Sequence, residues 1–172
     1  MGHALFETNA AAMPGCGFSR EALTAANINP ATGLATDYLN HFNEITMLIG
    51  LVGDIPDMVD ELSVWEPTSY EEHFERSTFK AKALAIAAYR ATLPAIREKF
   101  VEVVWEMNSA ILSTISRLKE ADPADYHRIA AYGDTLFRPL LARASGVIHG
   151  VELDANLLES DASQATLDAL TD

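Results

Sequence analysis

LATDYLNHFNEITMLIGLVG, residues Leu34 to Gly53, is the longest strongly apolar run in the chain. Tyr38, Phe42, Ile45, Ile49 and Val52 step along it by four and three, the period of a buried helix stripe. About 100° round the same helix lies a second row, Asp37, His41 and Glu44. The stretch predicts a helix with an apolar side set into a core and an ionisable side next to it.

The rest of the chain supplies further helices. Ser19 is placed to cap a short one through Ala26, and Asn29-Pro30-Ala31-Thr32-Gly33 is turn chemistry. Gly53 and Asp54 end the Leu34 helix, and Asp54 with Pro56 suits the start of the next. Thr68-Ser69-Tyr70-Glu71-Glu72 holds two overlapping capping boxes, Thr68 with Glu71 and Ser69 with Glu72. An Ala-rich helix is expected from Phe79 to Ala91.

Pro94 opens the longest helix, running to Lys119, with Ile96, Phe100, Val104, Met107, Ile111, Ile115 and Leu118 along one row. A second apolar row, Val101, Trp105 and Leu112, implies partners on both sides of it. Asp122-Pro123 starts a last helix, expected to break or bend near Gly133 and to kink at Pro139. The expected fold is therefore all-α: one domain, an irregular bundle of five to seven helices over residues 19–150. Residues 1–18 read as a loose arm and 151–172 as an acidic segment, docked or disordered.

Composition narrows the function. Of the 172 residues 49% are hydrophobic, yet no stretch reaches the ~18 uncharged apolar positions of a membrane span. A net charge of −13 argues against nucleic acid and anionic membrane surfaces, whose affinity needs clustered Lys and Arg. It leaves a cation, a basic protein partner or a small molecule open. A lone cysteine, Cys16, and no charged, apolar leader fit a cytoplasmic protein.

No Gly-x-Ser-x-Gly turn, phosphate loop or dinucleotide fingerprint occurs. Asp37, His41 and Glu44, with Glu72 or His73 from a neighbouring helix, have metal-compatible chemistry, and the Glu98, Glu102 and Glu106 ladder could ligate a hard cation but reads more simply as a solvent face. The first set would hold a divalent metal, with His41 as neutral imidazole. The plainer account is a polar row flanking the core, with Asp37 and His41 paired at i, i+4. A small-ligand pocket between helices would be lined by Tyr38, Phe42, Trp65 and Trp105, residues equally explained as core.

The run ATGLATDYLNHFNE, Ala31 to Glu44, with SYEEHF further on, resembles small bacterial helical proteins of no established activity. The resemblance implies a soluble cytoplasmic helical domain and carries no catalytic residue across. The expectation that follows is an interaction or regulatory protein without catalysis, assembled as a homo-oligomer that buries the second apolar row.

Overall fold

The structure is a computed structural model and describes residues 17–151. Residues 1–16 of the proposed arm, Cys16 among them, and nearly all of the acidic segment lie outside these residues; Phe18, also assigned to the arm, packs against the core instead. Among them the chain forms seven α-helices, two 3-10 turns and one isolated bridge, Ile28 with Ala35, and no strand. It is an all-α, single-domain fold. No described helix is long and apolar enough to cross a membrane.

The helix starts follow local chemistry. Ser19 caps α1 (Arg20–Ala25), its hydroxyl accepting the Ala22 N–H at 3.1 Å. The Asn29–Gly33 turn is closed by Asn29 Oδ1, which accepts the Ala31 N–H, and by Gly33 at φ 74°. That φ lies in the left-handed region, where a side chain is strained.

The Leu34–Gly53 reading needs one correction. The chain is extended at Ala35, turns through a 3-10 segment (Thr36–Leu39), and only then enters α2 (Asn40–Leu51). Ala35 is held extended by its bridge to Ile28, and its N–H is taken by the Tyr70 hydroxyl at 2.8 Å. The apolar stripe survives: Tyr38, Phe42, Ile45, Ile49 and Val52 are all buried.

Short helices follow. α3 (Met58–Leu62) starts at Asp57 with no side-chain cap, so Asp54 does not cap it. α4 (Tyr70–Arg76) takes the second of the two capping boxes, Ser69 with Glu72. Thr68 instead points its hydroxyl at the Glu66 carbonyl. α5 is trimmed to Lys82–Arg90, and Arg90 pairs with Glu71 across to α4.

α6 (Pro94–Glu120) and α7 (Tyr126–His149) form the central hairpin, joined by a 3-10 turn that Asp122 caps. Ile96, Phe100, Met107, Ile111, Ile115 and Leu118 of α6 are buried, as the period requires, whereas Val104 of the same row is only partly buried and its neighbour Val103 is buried. The expected break in α7 does not occur. Gly133 is buried where a Cβ would lie 3.0 Å from Thr114 and Phe137, so its lack of side chain lets α7 close onto α6. Pro139 sits on an exposed position of an unbroken helix. Arg143 grips Glu106 with two hydrogen bonds, 2.7 and 3.2 Å, which join the hairpin on its outer side.

The buried threonines tie the ends together. Thr92 donates to the Thr32 carbonyl at 3.0 Å, and Thr32 donates to the Ile148 carbonyl at 2.6 Å. Both side chains are almost fully buried. The Thr32 hydroxyl thus satisfies a carbonyl in the last turn of α7, which has no partner within the helix. Thr32→Val should strand that buried carbonyl and lower unfolding stability by roughly 1–3 kcal/mol. Urea denaturation checks this, with a shifted midpoint and an unchanged slope expected.

Candidate functional site

Tyr38 is the hub. The 3-10 turn before α2 drives its ring fully into the interior, and its hydroxyl donates to the Thr68 carbonyl at 2.8 Å. Phe42, Tyr70, His73 and Phe100 pack round it with ring centroids 5.3 to 5.7 Å away, the spacing of tilted and edge-to-face aromatic contacts. Burial raises the ionisation of the Tyr38 and Tyr70 phenols well above its usual range, so both stay neutral hydroxyls.

On one side of Tyr38 lies a pair of histidines. His41 of α2 and His73 of α4 have ring centroids 6.2 Å apart. Trp65 stacks on His41 at 5.1 Å, with planes 22° apart. His41 Nε2 and Trp65 Nε1 are both closed off from solvent, and neither has a hydrogen-bond partner. Burial lowers the His41 pKa to about 4, helped by the neighbouring His73. His73 is also lowered by burial; Asp37, through its charge and its main-chain carbonyl, and the charge of Glu44 oppose that. Both imidazoles are therefore neutral at pH 7.

The five residues singled out as metal ligands meet only in part. His41 and His73 come together. Glu72 is spent in the cap of α4, accepting from the Ser69 N–H at 3.1 Å and from its hydroxyl at 2.7 Å. Glu44 is exposed, and Asp37 offers His73 its main-chain oxygen. Among the described residues no group of three His, Cys, Asp or Glu is arranged to hold a metal ion. Glu106 of the α6 glutamate ladder is bound to Arg143, and His127 lies 3.6 Å from Asp54.

On the other side of Tyr38 opens a groove of about 290 Å³. Its walls include Tyr38, Pro67, Tyr70, Tyr89, Phe100 and Trp105. Tyr70 and Tyr89 stack at 4.4 Å with planes 17° apart. Of the pocket expected from sequence, Tyr38 and Trp105 line this groove, Phe42 is core and Trp65 covers His41. Asn108, also on the wall, has a side-chain oxygen that is closed off and without a partner. Sequence reading missed Tyr89 and Asn108. The signal available for Asn108 was its place between Trp105 and Leu112 on the second row.

The outer row itself is exposed: Val101 by 50%, Trp105 by 68% and Leu112 by 44%. The expected burial on both sides of α6 is thus met on one side only within a single chain.

His41 gives the fold a pH dependence. Its folded pKa lies below the ordinary 6.5, so the stability it contributes is present above pH 6.5 and is lost as pH falls toward 4. Solvent screening of the half-exposed ring reduces the effect to roughly 1–2 kcal/mol. Wild type should lose this between pH 7 and 4.5 in urea melts, and His41→Phe should not. Compared with protein-family models, curated proteins and solved structures, the chain matches none, and the reading of its surface rests on this geometry.

Proposed function

We propose that this chain is a soluble cytoplasmic interaction or regulatory protein that works as a homodimer, with the outer row of α6 as its seam. One observation carries the reading. Val101, Trp105, Asn108 and Leu112 follow one another by four, three and four residues on the open face of a 27-residue helix. That alternation is the seam pattern of two packed helices. A contiguous apolar face with a large exposed tryptophan marks a surface made to be covered. No charge interrupts the face between Val101 and Leu112, although the whole chain carries −13. The acidic surface elsewhere suits a basic protein as the dimer's partner.

A second reading keeps a divalent metal on His41 and His73, with Asp37 or Glu44 as the carboxylate and Glu72 left to its cap. It is supported by the adjacency of His41 and His73 alone. Stoichiometric metal in protein purified without chelator would favour it over the first.

Sedimentation at tens of micromolar should give twice the 18.7 kDa chain mass. Leu112→Glu sets a charge into the seam and should raise the dimer Kd by roughly 100-fold, with helical circular dichroism unchanged. A wild-type protein that stays monomeric under these conditions sinks the homodimer.

A further inference from the structure

We propose that the aromatic groove beside α6 receives Trp105 of a second copy, so that two chains clasp each other by reciprocal insertion of an indole. The inference rests on the homodimer reading and names what fills its seam. Trp105 is the largest exposed apolar side chain on α6, and it stands at the edge of the groove. Knob and hole therefore lie side by side on one patch. A two-fold axis makes such a patch self-complementary, each copy giving its knob to the other's hole.

The groove suits an indole and little that is more polar. Tyr38 and Tyr70 have both hydroxyls engaged inside the protein, so they offer it ring surface. The Tyr70–Tyr89 stack and Phe100 supply further ring surface. An indole N–H buried there needs an acceptor. Asn108 lines the groove and has a side-chain oxygen with no hydrogen bond, and the clasp assigns it as that acceptor.

Register and charge choose the orientation. With the two-fold between residues 106 and 107 and the helices antiparallel, Trp105 faces the partner's Asn108, and Val101 faces the partner's Leu112. Glu98 then lies about one helical turn from the partner's Lys119. Both residues are exposed and extend the seam at opposite ends. A parallel pairing would set each of these charges against its own copy, which is unfavourable.

The chain has two tryptophans, so Trp65→Phe leaves Trp105 as the one emitter. At concentrations where sedimentation shows a dimer, its emission should be blue-shifted. Acrylamide quenching should be reduced several-fold against the diluted monomer. Trp105→Ala should weaken dimerisation by about tenfold or more. Val104→Trp, which fills the groove from inside, should weaken it similarly while the monomer keeps its circular dichroism. A dimer in which Trp105 is quenched as readily as free tryptophan overturns the clasp and leaves the homodimer standing. So does an unchanged Kd for Trp105→Ala. A wild type that never dimerises removes both.

Discussion

Burying a tyrosine hydroxyl is costly unless it finds a hydrogen-bond partner, and Tyr38 is buried completely. The acceptor is the main-chain carbonyl of Thr68, thirty residues on. The return bond runs from the Ala35 N–H to the hydroxyl of Tyr70. Two phenols thus lace residues 35–38 to residues 68–70, each satisfying a main-chain group that no helix satisfies. Each bond is worth about 1 kcal/mol net, and losing one partner costs more because the other stays buried. The geometry of the surface follows from this lacing. It delays the start of α2 and turns Tyr70 inward at the start of α4. It also sets His73 against His41 on one side and leaves a ring-walled groove on the other.

Most of what was legible in the fold had a local determinant, although the local pattern at Asp54 and Pro56 misplaced one helix start. Ser19, Ser69, Pro94 and Asp122 sit at helix starts because a cap or a first-turn proline acts within three residues. The α6 stripe was legible because one helix face meets one core. What could not be read depended on distant partners. The choice of Ser69 over Thr68 as cap belongs with the pull of Tyr38 on the Thr68 carbonyl. Gly133 looked like a break, since glycine disfavours helix by about 1 kcal/mol. In the folded chain it is the place where α7 approaches Thr114, and packing outweighs propensity. The threonine bonds span 60 and 116 residues, and no spacing rule foresees them.

The site was legible in the same uneven way. Helical periodicity put His41 beside the core, and the capping boxes before α4 put His73 on a short helix with Tyr70 and Phe74; that it turns toward Tyr38 came from the structure. Their meeting depends on the tyrosine lacing, which the sequence does not spell out. Glu72 had two competing uses, ligand or cap, and its distance of three residues from Ser69 decided for the cap. Trp65 was readable as apolar, but not as the lid on His41.

The second row of α6 was readable as apolar and unreadable as exposed, because a periodic stripe does not say who covers it. The chain's own chemistry narrows the answer. A net charge of −13 makes two copies repel at long range, and that repulsion is screened beyond about 8 Å at physiological salt. Contact between copies then has to be made where charge is absent and apolar area is at hand. The interval from Val101 to Leu112 on its open face meets both conditions, with one acid and one base at its two ends. Two tyrosines of the groove next to it, Tyr38 and Tyr70, have their hydroxyls held inward by the bonds that build the fold. In the proposed clasp their ring surface takes an apolar ring with a single donor, and the side chain of that kind standing on the same surface is Trp105.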